Sequence, residues 1–149
     1  MESGTASQEW RRYRMTNQEL YEMAVKAREF SYSPYSNFKV GAALLAKNGT
    51  VYTGCNIENA AYTPCNCAER TAFFKAVSEG VMEFEKIAVV GGKDEIDPMT
   101  APCGVCRQVM MEFCDPKTFT IIMPKGNGEL GEFTLEEILP FGFGPKNLE

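Results

Sequence analysis

Cys67-Ala68-Glu69-Arg70 and, further along, Pro102-Cys103-Gly104-Val105-Cys106-Arg107 are the two stretches that decide how this chain folds and what it holds. The first sets a metal-ligating thiol and a carboxylate two positions apart at the expected start of a helix. The second is a C-x2-C pair at another helix start, and its i, i+3 spacing puts Cys103 and Cys106 on one face, one turn apart. Three thiolates make a catalytic zinc site rather than a structural one, because a structural zinc takes a fourth protein ligand where a catalytic zinc keeps a place for water. Glu69 stands where it can carry the protons of that water, against the plainer alternative of an exposed first-turn acid favoured by the helix dipole.

Outward from these stretches the pattern alternates. Thr16-x-x-Glu19 is a capping box, and the apolar residues Leu20, Met23, Ala24, Ala27 and Phe30 predict a helix over 17–30. Ser33-Pro34-Tyr35-Ser36-Asn37 breaks it. A strand over 38–46 turns at Lys47-Asn48-Gly49 into a second over 50–55, and the small Gly41, Ala42 and Ala43 leave room for a helix to lie close. A second helix is expected over 67–78, with Asn66 as N-cap, Cys67 in the first turn and Gly80 past its end. A buried strand follows over 86–91, a third helix from Cys103 to about Phe113, and a strand over 119–123. Lys125-Gly126-Asn127-Gly128 is so short a link that the strand over 129–133 has to run antiparallel to the one before it. Thr134-x-x-Glu137 caps a last short helix ending at Pro140. The expectation is an α/β fold of three layers: a five-stranded mixed sheet with helices on both faces.

Composition narrows the function. With 149 residues, 44% hydrophobic and 23% charged, the chain suits one globular domain over 16–149, preceded by a polar, flexible tail over 1–15 that carries Trp10, Arg11, Arg12 and Arg14. Removal of that tail is expected to leave folding and activity intact. A net charge of -5 argues against nucleic acid or an anionic membrane as partner and for a small molecule. No apolar stretch approaches the ~20 residues of a membrane span, and nothing reads as a signal peptide, so a reducing cytoplasm is expected. There is no histidine, which excludes His-based catalysis and His-ligated zinc; six cysteines and the carboxylates must do the chemistry.

Cys55, Cys65 and Cys114 read first as small buried hydrophobes. Cys65 is the rival ligand, since a Cys65/Cys67/Cys103/Cys106 set is a closed structural zinc and would make the chain a non-catalytic binding module. Because three thiolates around Zn(II) leave a net charge of -1, something positive has to compensate. Arg70 and Arg107 are the candidates, as donors to the ligand sulfurs or else as surface arginines.

Four ordered blocks then carry a resemblance: Ser33-Pro34-Tyr35-Ser36-x-Phe38-x-Val40-Gly41-Ala42-Ala43-Leu44, Gly54-Cys55-Asn56-Ile57-Glu58-Asn59-Ala60-Ala61-Tyr62, Cys67-Ala68-Glu69-Arg70, and Pro102-Cys103-Gly104-Val105-Cys106-Arg107-Gln108. Nearly all of 16–148 resembles the small homotetrameric cytidine deaminases whose zinc is held by three cysteines. The resemblance implies one zinc per chain on Cys67, Cys103 and Cys106. It implies an activated water that attacks C4 of cytosine, and Glu69 as the shuttle of protons to N3 and to the leaving amine. It assigns Asn56 and Glu58 to the sugar hydroxyls, Phe38 to the face of the base, and Ala68 and Tyr62 to substrate binding, Tyr62 near the interface with a neighbouring subunit. Phe143 is matched to a residue that enters a neighbouring subunit's pocket and stacks on the base. The implied role is pyrimidine salvage on cytidine and deoxycytidine, with a nucleoside-antibiotic deaminase of the same fold as the alternative. The chain departs from the commoner pattern at Thr63-Pro64-Cys65-Asn66 and Phe141-Gly142, at the rim rather than at a ligand.

Overall fold

The computed structural model describes residues 14–149; most of the expected tail lies outside them. Helix α1 (Asn17–Arg28) leads to strands β1 (Lys39–Ala46) and β2 (Val51–Cys55), helix α2 (Ala68–Ser78), strand β3 (Phe84–Gly92) and helix α3 (Gly104–Phe113). Strands β4 (Thr120–Pro124) and β5 (Leu130–Thr134), the four-residue helix α4 (Leu135–Ile138) and a 3-10 turn (Pro145–Leu148) complete it. The sheet order is β2-β1-β3-β4-β5, with β3 and β4 parallel and every other neighbouring pair antiparallel. The expected three layers are present. One face of the sheet packs Leu20 and Ala24 of α1 on Ala43, Leu45, Ala88, Val90 and Ile122. The other packs α2 and α3 through Ala72, Phe73, Ala76, Cys106 and Met110 on Leu44, Ile87, Val89 and Ile121.

Local chemistry explains the helix starts. Thr16 accepts from the Glu19 N–H at 3.1 Å while Glu19 takes the Thr16 N–H at 3.2 Å, and the same reciprocal box closes between Thr134 and Glu137. The first helix stops two residues short of the expectation. Phe30 leaves it and stands 79% exposed instead of facing the core, because Arg28 is pulled to the sheet, donating to the carbonyls of Lys39 at 3.1 Å and Gly92 at 2.7 Å.

Two glycines let the helices reach the sheet. A Cβ at Gly41 would lie 2.1 Å from the Ala24 carbonyl oxygen and 2.5 Å from the Arg28 nitrogen; one at Gly54 would lie 2.4 Å from the Ala68 carbonyl oxygen. In both places the obstacle is helix backbone, which cannot rotate aside. Gly41→Ala is therefore expected to destabilise by about 3 kcal/mol, the upper part of the overpacking range, read as a lower denaturant midpoint. A midpoint within error of wild type would mean that α1 is free to lift. Gly54 brings the first turn of α2 against β2, and with it the segment that carries Cys67 and Glu69.

Candidate active site

Cys67 and Cys103 are both N-cap residues, with extended backbones at φ -76, ψ 155 and φ -66, ψ 167, and neither thiol caps its own helix. This corrects the expected start of α2. Asn66 is not the cap: its backbone exchanges two 2.9 Å hydrogen bonds with Ile57 and its side chain donates to Thr71 Oγ1 at 3.1 Å, so it belongs to an extended bridge. Cys67 therefore precedes the helix instead of lying in its first turn. Its thiol, like that of Cys103, sits at the positive end of a helix dipole and makes no capping hydrogen bond.

The three sulfurs meet. Cys67 Sγ lies 3.8 Å from Cys103 Sγ, which lies 3.6 Å from Cys106 Sγ, and all three fall within 4.8 Å of one another. Thiolates at ~2.3 Å from a tetrahedral zinc stand about 3.8 Å apart, which the Cys67–Cys103 and Cys103–Cys106 separations match, so the donor set suits this ion. The neighbouring Cys106 thiol and then Arg70 hold the Cys67 thiol down to about 5, while the Cys67 sulfur, together with burial, pushes Cys106 up. A cation that takes all three as thiolates displaces the remaining protons.

Arg70 Nη2 donates to Cys67 Sγ at 3.2 Å, as expected of a group that offsets thiolate charge. Its Nε is the one buried side-chain nitrogen or oxygen without a partner among the described residues, and it stands at this cluster. Arg107 differs from the expectation. Its Nε donates to the Pro102 carbonyl at 2.7 Å and its Nη1 to the Ile138 carbonyl, so it braces the loop before Cys103 against α4 and donates to no sulfur. The neighbouring carbonyls outcompete sulfur for a guanidinium placed there.

Glu69 is 4% exposed, where a first-turn glutamate would ordinarily be solvated. Burial raises its carboxyl to about 6, with the Cys67 charge adding to the rise. A carboxyl poised there exchanges protons readily at neutral pH.

A cavity of about 320 Å3 opens over this cluster. Glu69, Ala68, Cys67, Cys103 and Arg70 line it together with Phe38, Asn56 and Glu58. Thr100, Ala101 and Val89 also line it. The sequence reading missed these three. Thr100 and Ala101 immediately precede the Pro102-Cys103 block, which was the available signal. Asn56 and Glu58 do not offer free side chains: Asn56 holds Phe38 and Val40, and Glu58 holds Tyr35 and Ser36. Tyr62 and Phe143 are not cavity-lining residues. Tyr62 is 72% exposed at φ 59, its ring 6.2 Å from that of Tyr35, and Phe143 is 57% exposed. Phe143 lines a separate groove with Phe74 and Val109.

Cys65 lines the cavity but stays out of the sulfur cluster. Its Sγ accepts the Asn59 N–H at 3.2 Å, so the closed four-cysteine site does not form. Cys114 is half-buried, and burial pushes its thiol up to about 12; Cys55 is raised by burial as well. Cys114 packs against the core, whereas Cys55, also half-buried, joins neither hydrophobic cluster.

A profile of the "Cytidine and deoxycytidylate deaminase zinc-binding region" matches residues 14–122. The chain belongs to this family. The cytidine deaminase of Sporosarcina psychrophila is 48% identical over 134 residues, covering 90% of this chain and 96% of that relative. A crystal structure of cytidine deaminase from Burkholderia pseudomallei superposes with a TM-score of 0.78 at 49% identity, over 87% of this chain and 100% of that one. The blasticidin-S deaminase of Bacillus cereus is more distant, at 32% identity over 84% of this chain and 90% of that relative. The family's zinc-binding region and the three-sulfur cluster agree in assigning zinc to this site.

Proposed function

We propose that the chain deaminates free cytidine and deoxycytidine by hydrolysis, giving uridine or deoxyuridine and ammonia. The observation that carries this reading is a buried carboxyl, Glu69, beside three converging thiols at the end of a cavity of nucleoside size. Zinc on Cys67, Cys103 and Cys106 supplies a water acidified toward neutrality.

The chain's own residues supply the rest. Glu69 takes a proton from the water and gives it to ring N3 as the C4–O bond forms. It takes the second proton and gives it to the amine nitrogen, so that the C4–N bond breaks and ammonia leaves. Both transfers suit a carboxyl whose pKa is raised toward the working pH. Arg70, bonded to Cys67, draws charge from the ligands and offsets the formal -1 of the three-thiolate site. Arg107 keeps the Pro102–Cys103 segment in place. Phe38 covers a face of the base, and Asn56 and Glu58 meet the sugar at the far end, with Ala68 at the floor. The decisive experiment is ultraviolet absorbance of a cytidine solution on addition of the zinc-loaded protein. A shift toward the uridine spectrum is expected, and an unchanged spectrum at micromolar protein overturns the reading.

In the same reading the catalytic domain is residues 16–149 and residues 1–15 are an appended tail, a division supported by the family match, which starts at residue 14. The reaction belongs to reuse of free pyrimidine nucleosides in the cytoplasm. Support comes from six free thiols and from the lack of any helix, among the described residues, long and apolar enough to cross a membrane.

The working unit is a homotetramer with shared sites. Phe143 supports this: Gln108 holds its carbonyl at 2.8 Å, its ring is exposed, and its own chain's cavity is lined by others. Stacked on a base opposite Phe38, it would contribute roughly 1 to 3 kcal/mol. Phe143→Ala is expected to raise KM about tenfold or more with zinc content unchanged. A fully active monomer in size-exclusion chromatography at assay concentration, or an unchanged KM, would count against shared sites.

A further inference from the structure

The segment between α1 and β1 carries hydroxyls that the reaction does not use. Asn37 stands at φ 58 and its N–H donates to the Ser33 carbonyl at 2.9 Å, which folds residues 33–37 into a turn at the cavity mouth. Within the turn, Ser36 Oγ accepts the Phe38 N–H at 3.0 Å and donates to Glu58 Oε2. Glu58 Oε1 takes the N–H groups of Tyr35 at 2.9 Å and Ser36 at 3.1 Å. Asn56 is tied as firmly. Its Oδ1 accepts the Val40 N–H at 2.9 Å and the Ser31 hydroxyl, and its Nδ2 donates to the Phe38 carbonyl at 2.8 Å. The two backbone partners determine which way the amide points, since only its nitrogen can face a carbonyl and only its oxygen an N–H.

We propose that Ser36 is a positioning residue for the reading of the sugar: its hydroxyl aims the Glu58 carboxylate. This rests on the nucleoside reading, in which Asn56 and Glu58 meet the sugar. Hydrogen-bond polarity gives the arrangement its meaning. Both lone pairs of Asn Oδ1 are taken, so the amide has one N–H left and can only donate. The Ser36 hydroxyl, ahead of the N–H groups of the turn, holds the Glu58 carboxyl below its ordinary value, so Glu58 is ionised and can only accept. A sugar hydroxyl meets both needs at once, donating to Glu58 and accepting from Asn56. Glu58 is only half-buried, and a glutamate with that freedom samples several rotamers; without Ser36 it has to be ordered by the substrate itself.

The test compares two ligands on Ser36→Ala: cytidine, and 2′,3′-dideoxycytidine as a competing ligand that lacks the hydroxyls to be read. Cytidine KM is expected to rise about tenfold, the scale of one charge-assisted hydrogen bond, with kcat within about twofold. The inhibition constant of the dideoxynucleoside should move by less than about twofold, and Ser36→Thr, which keeps the hydroxyl, should restore the cytidine KM. In a Glu58→Ala background, Ser36→Ala should add almost nothing, because the group it aims is gone. Equal losses for both ligands would make Ser36 a structural residue and overturn the proposal, as would an unchanged cytidine KM or a full additional loss in the Glu58→Ala background. Wild-type protein that leaves cytidine untouched would instead remove the nucleoside reading, a result obtained before any variant is made.

Discussion

Glu69→Ala is expected to retain about one zinc per chain and to lose deamination by about 10²- to 10⁴-fold or more in kcat, the contribution of a positioned acid-base group. The carboxyl lies buried beside the sulfurs, yet the zinc donor set is complete without it: three thiolates with a place left for water. Removing it should therefore separate metal binding from proton transfer. The isosteric Glu69→Gln should behave alike, keeping zinc and losing turnover. Because burial is what raises the Glu69 carboxyl, the neutral amide relieves a desolvation cost, and Glu69→Gln is expected to melt no lower than wild type. Metal analysis, cytidine turnover and thermal melting on the same preparations check all three. Loss of zinc in either variant would place Glu69 among the ligands, and retained turnover would remove it from the chemistry.

The second large effect is loss of the metal itself. Cys103→Ala deletes an exposed thiol that contributes to neither hydrophobic cluster, so the fold should survive while zinc content falls from about one per chain toward zero and activity goes with it. Cys103 is the more informative choice than Cys106, which is buried in the core and whose loss would mix metal binding with packing. Cys65→Ala is the matched control and should keep both metal and activity, since its sulfur is held by Asn59 outside the cluster. Zinc lost from the Cys65 variant, or kept by the Cys103 variant, would exchange their roles. Far-ultraviolet circular dichroism on both separates metal loss from unfolding.

Much was legible from the residues because the deciding interactions span few positions. Both capping boxes close over three residues, the tight turn at Lys47-Asn48-Gly49 joins two paired strands, and a four-residue link forces β5 to return beside β4. The C-x2-C pair is one helical turn. Zinc chemistry needed only ligand type, spacing and the absence of histidine. The start of α2 was misjudged by one residue, because asparagine is the better cap by propensity while the bridge from Asn66 to Ile57 is a contact between segments.

Composition, spacing and periodicity thus determined an α/β chain with candidate metal-ligating thiols at Cys67, Cys103 and Cys106, Cys65 as their rival, one nearby acid and no alternative in histidine. Tertiary structure alone decided which thiols converge: Cys65 and Cys67 are near neighbours in the chain, and only the hydrogen bond from Asn59 sends one sulfur away. It decided that Glu69 is buried, through the close approach that Gly54 allows, and that Arg70 reaches a sulfur while Arg107 reaches carbonyls. It also decided that Asn56 and Glu58 are bonded to the chain around Phe38. The physical reason is common to these cases: a hydrogen bond or a desolvated carboxyl depends on which atoms the packing of helix on sheet brings within about 3 Å, and sequence spacing carries that information only inside a single turn or hairpin.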